Sequence, residues 1–98
     1  MFDNVFICQK LFNNTIVEEN GFNYIEDKDG SIRTIPTFEA SLNSVFDLVK
    51  ELSNRYGETL GIEFKGAEVR AWLGEVNFTD IHAPTAIVGC VAKYLANR

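Results

Sequence analysis

Between Thr79 and Leu95 the chain gathers its single His, His82, one of its two Cys, Cys90, and one of its two Pro, Pro84. A His near a thiol could serve nucleophilic chemistry, but no Cys, Asp or Ser stands at a spacing that identifies a catalytic partner for His82. The stretch reads instead as the start of a helix. Ile87, Val91, Tyr94 and Leu95 form an apolar stripe, and Ala86, Gly89, Cys90 and Ala96 are small enough to let it lie close to a sheet. Pro84 suits the first turn, where its missing N–H has no intrahelical partner. His82 then stands beside free backbone N–H groups that favour anions, which makes it a candidate for a ligand phosphate or carboxylate.

Three further residues could hold a ligand. Arg70 and Trp72 alternate on one face of an extended segment, so a guanidinium for phosphate would stand beside an indole for base stacking. Arg33 is a second candidate guanidinium. The candidate ligand-binding set is therefore Arg70, Trp72, His82 and Arg33. The acid pairs Glu18-Glu19 and Glu26-Asp27 read as a solvated edge. A calcium loop over Asp27 to Ser31 fails on spacing: aligning Gly30 with the loop glycine puts Ile25 at the first ligand position and Pro36 at the bidentate acid. No phosphate-binding glycine loop, nucleophile elbow, zinc-binding His-Glu-x-x-His or Cys-x-x-Cys occurs. The expectation is a protein without catalytic residues, metal or cofactor.

Ninety-eight residues with 46% hydrophobic and 12% aromatic content suit a single domain over residues 1–98. A domain of this size hides only about 60–65% of its unfolded surface. Eight Phe and one Trp are a large apolar load for it, so a homo-oligomer is expected. The net charge is −5, of which residues 1–50 carry −4 and residues 51–98 carry −1. Such a field opposes direct contact with nucleic acid or an anionic membrane. It leaves room for a small anionic ligand at a local Arg, or for a basic protein groove. Cys8 and Cys90 lie far apart and read as small buried hydrophobes on helices. Without a signal peptide or an apolar run of about 18 residues, the protein is expected in the cytoplasm with both thiols reduced.

These residues must be positioned by a short series of elements. Phe2 to Phe12 is read as a helix, although Val5 to Cys8 could equally open a strand, and Asn13-Asn14-Thr15 ends it. Short extended pieces follow between Ile16 and Ile35: one at Phe22 to Ile25, the next at Ile32 to Ile35, with a reversal at Asp27 to Ser31. Phe38, Leu42, Val45, Phe46, Val49, Leu52 and Tyr56 predict a core helix over 38–56, limited by Pro36 and capped by Gly57. Leu60, Ile62 and Phe64 alternate with Gly61, Glu63 and Lys65 as in a half-buried strand. Glu68 to Phe78 reads as one longer extended run with Val69, Ala71 and Leu73 on one face and Arg70, Trp72, Gly74, Val76 and Phe78 on the other. Apolar residues on both faces suggest cover from both sides, by helices or by a second subunit.

Several segments, in order, resemble the phage ABA sandwich domain, a family of small phage and prophage proteins. Ile7-Cys8-Gln9-Lys10-Leu11-Phe12 is similar to its Val-Ala-Glu-Lys-Val-Met opening helix, and Phe22-Asn23-Tyr24 followed by Asp29-Gly30 to its aromatic hairpin. Pro36-Thr37-Phe38-Glu39-Ala40-Ser41-Leu42 resembles its Pro-x-Tyr-Ser-Thr-Asp-Ile helix entry, with Glu39-Ala40-Ser41 in place of Ser-Thr-Asp. That departure weakens the capping argument at this helix start. Trp72 followed by His82-Ala83-Pro84-Thr85-Ala86-Ile87-Val88 resembles its Trp strand and Ala-x-Thr-Ala-x-x-Ala-Ile closing helix. The resemblance implies an α+β fold, an α-β-α sandwich with a small antiparallel sheet packed by two or three helices, and it carries no catalytic constellation. It also implies a phage-encoded, non-enzymatic binding protein of host takeover or counter-defence. Its partner would be a small nucleotide signal or a host protein. The alternative is an acidic inhibitor of a host defence complex that imitates nucleic acid, in the manner of an anti-CRISPR protein.

Overall fold

The computed structural model describes residues 2–98. Helix α1 (Asn4–Phe12) starts where the Asp3 carboxylate accepts a hydrogen bond from the Phe6 N–H at 3.0 Å. It ends at Asn13, whose φ of 54° is the left-handed conformation expected of that Asn run. The opening segment is thus helix, and the strand alternative falls.

Strands β1 (Thr15–Glu19), β2 (Phe22–Glu26) and β3 (Ile32–Thr34) form an antiparallel sheet in that order. The reversal at Asp27 to Ser31 stands as read, with the Asp27 N–H bonded to the Ser31 carbonyl at 2.8 Å. The Asp29 carboxylate accepts from both the Ser31 N–H and hydroxyl, which holds its proton affinity below the usual carboxylate range. The sequence reading had not singled out β1. Its turn is Asn20-Gly21, with φ of 54° and 83°, the pair of positive values that a two-residue hairpin requires.

The expected helix over 38–56 starts later. Phe38–Ala40 is one 3-10 turn, and Ser41 is extended at φ −147°. Its side chain then caps α2 (Leu42–Tyr56) by accepting from the Ser44 N–H at 3.4 Å. Gly57 closes α2 at φ 69°, as anticipated. The apolar stripe is also rotated. Val45, Leu48 and Leu52 are buried, whereas Leu42 and Phe46 are exposed. Phe46 lies about 100° around the helix from Val45, beyond the face that meets the core.

Strands β4 (Gly61–Lys65), β5 (Glu68–Leu73) and β6 (Val76–Asp80) form a second antiparallel sheet. The run from Glu68 to Phe78 is therefore two strands, split at Gly74-Glu75, with Gly74 at φ 58°. This reverses the expected facing of its second half. The register sets Phe78 opposite Ala71 and Val76 opposite Leu73, so all four share the face that meets the last helix, α3 (Ala83–Ala96). The two-faced apolar strand, and the argument for a second subunit drawn from it, do not survive.

The α+β class holds: three helices and two small antiparallel sheets, consistent with a helix-sheet-helix sandwich. α3 lies on β5 and β6 and also meets α1 and α2. Gly89 makes the approach close, since a Cβ there would stand 2.5 Å from the Phe78 ring. The core formed by Ile7, Leu11, Val45, Leu48, Leu52, Leu73, Val88, Val91 and Leu95 contains no buried polar or charged residue among the described residues. From the first sheet only Ile25 enters it.

Candidate functional site

A concavity with an apolar floor lies where the first sheet meets α1 and α2. The β2–β3 register sets Arg33 directly opposite Ile25, so both residues share the inward face of that sheet. Ile25 joins Cys8 and Phe12 of α1 and Phe38 of the 3-10 turn in an apolar floor, and Arg33, Ser44 and Asp47 supply the polar rim. The cleft holds about 340 Å³, at the lower end of the range for small-molecule sites. Phe12 and Phe38 stack with centroids 5.8 Å apart and planes 5° apart, which stiffens one wall.

The Arg33 Nε donates to both Asp27 carboxylate oxygens at 3.1 Å. That pair is largely solvated and holds the guanidinium in position more than it stabilises the fold. Among the described residues nothing engages the two terminal nitrogens of Arg33, so its fork remains open to a ligand. Burial pushes the Cys8 thiol up in pKa, with the Arg33 charge partly offsetting it. Cys8 is therefore protonated at neutral pH and acts as floor, not nucleophile.

Arg70 and Trp72 do come together, on the outer face of the second sheet. There the guanidinium carbon sits 5.1 Å from the indole centroid. Trp72 also lies against Gly61, its cross-strand neighbour: a Cβ at position 61 would stand 2.2 Å from the ring. Strand glycine and guanidinium thus both occupy the indole, which leaves it poorly placed to stack a base. The adjacent depression of about 330 Å³ is lined by Glu63, Lys65, Glu68, Arg70 and Thr79, a mixed-charge surface without an apolar floor.

His82 is the helix-entry residue. Its carbonyl accepts from the Ala86 N–H at 3.0 Å, its Nδ1 is 2.8 Å from the Thr85 hydroxyl, and its own N–H donates to the Asp80 carboxylate at 2.9 Å. The Asp80 carboxylate already places negative charge at the start of α3. The four candidates therefore occupy three separate places: Arg33 in the cleft, Arg70 with Trp72 on the second sheet, and His82 at the head of α3.

Cys90 is buried beneath β6, its sulfur 3.7 Å from the Val76 carbonyl, and burial pushes its pKa up to about 11. Glu18, Glu19 and Glu26 are exposed. Among the described residues no group of three or more His, Cys, Asp or Glu is placed to hold a metal ion. No described helix is long and apolar enough to cross a membrane.

The cleft floor was missed in the sequence because its residues come from three elements, α1, β2 and the 3-10 turn. One signal was available: with the Asp-Gly reversal placed, antiparallel counting pairs Arg33 with Ile25 and marks Arg33 as inward-facing.

No protein-family model matches the chain, and no curated protein matches it. Among solved structures, a phage protein from Bacillus cereus ATCC 14579, crystallised at 2.0 Å, superposes with a TM-score of 0.62. The match covers 97% of this chain and 87% of that one at 17% identity. At that identity the likeness establishes a shared fold. The resemblance to the phage ABA sandwich domain is without a matching family model.

Proposed function

We propose that this is a phage- or prophage-encoded binding protein without catalytic activity, acting in the cytoplasm of an infected bacterium to sequester a small nucleotide signal during counter-defence. The observation that carries this reading is the Arg33 cleft, where an open guanidinium fork stands above an apolar and aromatic floor. Arg33 would take a phosphate bidentately, the Ser44 hydroxyl and Asp47 carboxylate would take ribose hydroxyls or a base amino group, and Phe38 with Pro36 would meet the base. The like charge of Asp47 selects against polyanions and for ligands that carry donors. The phage origin of the structural neighbour supports the setting. Both thiols are buried and protonated at neutral pH, and His82 is engaged in helix entry, which supports a non-enzymatic role.

Calorimetry against cyclic dinucleotides, cyclic oligonucleotides and ADP-ribose cyclisation products tests the reading. Binding that Arg33→Leu weakens by at least tenfold, and that Arg70→Leu leaves unchanged, is the expected result. Absence of binding by the whole panel, or equal loss from both variants, refutes it.

A second reading has its own observation. Glu18, Glu19, Glu26, Asp27 and Asp29 gather on β1, β2 and the following turn, against only Lys28 and Arg33. This acidic sheet would enter a basic groove of a host defence complex by imitating nucleic acid. It requires binding that falls steeply between low and high salt. Salt-independent association removes it.

A further inference from the structure

The second sheet ends in an open edge, β4. The β4–β5 register sets Ile62 opposite Ala71 and Phe64 opposite Val69, so both share the face that carries the core. α3 covers β5 and β6 but does not extend over β4. Ile62 is consequently 38% exposed and Phe64 71% exposed. Edges are normally blunted by a Pro, a bulge or an inward-pointing charge, and β4 has none of these on its apolar face.

The free backbone groups lie at the same residues. Gly66-Ala67 is a two-residue turn closing on the pair Lys65 and Glu68. In such a hairpin the closing pair exchanges backbone hydrogen bonds, and hydrogen-bonded pairs then alternate along the ladder. Counting back from Lys65, the N–H and C=O of Phe64 and Ile62 point away from β5, towards the open side.

We propose that β4 pairs antiparallel with β4 of a second copy about a two-fold axis through Phe64, giving a homodimer with a continuous six-stranded sheet. The charges favour this register. On the outer face β4 carries Glu63 and Lys65, and neither is within ion-pair distance of another described residue. Pairing centred on Phe64 sets Glu63 opposite Lys65 of the second copy, and Lys65 opposite its Glu63, so symmetry supplies two opposite-charge pairs. Phe64 then meets its own counterpart on the apolar face, and their backbones exchange two hydrogen bonds. Sliding the register by two residues, to centre it on Glu63, would set like charges against each other. In this register only Glu63, Phe64 and Lys65 of each β4 pair with the other copy, a small interface, so the dimer forms in the micromolar range or weaker. A homo-oligomer was expected from the apolar load and from the two-faced Glu68–Phe78 run; this edge assigns an interface on other grounds, and it stands independently of the ligand cleft.

Sedimentation equilibrium from micromolar to millimolar protein tests the proposal. The expected results are a monomer–dimer equilibrium and a dissociation constant raised on the order of tenfold by Glu63→Lys, which opposes two Lys pairs. The double variant Glu63→Lys with Lys65→Glu restores the opposite-charge pairs and should return the constant to within about threefold of the parent. Phe64→Ser, which leaves the charges alone, should weaken the dimer independently. All three positions of change are exposed, and circular dichroism melts confirm that each variant is folded. A monomer at every concentration overturns the proposal, as does a dimer indifferent to Glu63→Lys or a charge swap that fails to restore association.

Discussion

Replacing Gly89 by Ala sets two effects of known sign against each other. Gly89 lies inside α3, where Ala is favoured over Gly by about 1 kcal/mol. Against that gain, the new methyl would stand 2.5 Å from Cδ2 and Cε2 of Phe78 and 2.8 Å from its Cγ. Ordinary carbon contacts are about 3.5–4.0 Å, so the ring must retreat by about 1 Å. Turning the ring about its own axis does not help, because Cγ lies on that axis. β6 or α3 must shift, and that contact holds the second sheet to the helices. Overpacking of this kind costs about 1–3 kcal/mol, and the backbone shift places Gly89→Ala near the upper end. The net expectation is a destabilisation of about 1–2 kcal/mol, or a melting temperature lower by roughly 5–15 °C in a domain of this size. In a Phe78→Ala background the obstacle is gone, and the same substitution should stabilise by about 1 kcal/mol. Thermal and urea unfolding of the four proteins in the cycle measure both signs. Gly89→Ala that stabilises the parent, or destabilises the Phe78→Ala protein, refutes the close packing argued here.

Asp3→Ala removes the cap of α1 and should cost about 1 kcal/mol in urea unfolding, with Asp3→Ser recovering most of it. Arg55 on α2 donates to the Leu11 carbonyl at 2.6 Å at the end of α1; Arg55→Met should cost about 1 kcal/mol and leave Asp3→Ala additive with it. The Cys90 thiol, raised from 9.0 to about 11, stays protonated in the folded protein while the unfolded chain ionises. Its contribution to stability is therefore complete below pH 9 and is lost as pH rises from about 9 to 11. Cys90→Ala should flatten that part of the stability–pH curve measured by urea unfolding. Neither thiol should react readily with a disulfide reagent at neutral pH unless the protein is unfolded.

The elements that the sequence displayed were those with a local cause. The Asn13 stop, the Asp27–Ser31 reversal, the Gly57 cap and the Pro84 helix entry each depend on the conformational preference of one or two adjacent residues, and each is found where the chain predicted it. The misreadings arose where a local signal was present but a stronger pattern ran over it. Gly74 permits a reversal by its positive φ, yet apolar alternation ran through it and made two strands look like one. Ser41 is a good cap, yet Phe38 lay in phase with the helix behind it and drew the start four residues too early. The candidate site was legible in one residue only: Arg33 could be named as a guanidinium, but not what it would face.

By itself, the sequence determined the class of fold, the local stops and turns, the negative charge, and the burial of both cysteines, because propensity, period and composition act over a few residues. Only the tertiary structure decided which faces meet. Strand pairing reversed the facing of Val76 and Phe78, because antiparallel register and not chain continuity assigns side chains to a face. The same pairing brought Arg33 to Ile25 above a floor from α1 and the 3-10 turn. It left Phe64 on an edge that α3 does not extend to cover. Cleft and edge alike depend on contacts between residues distant in the chain, and no local preference encodes their geometry.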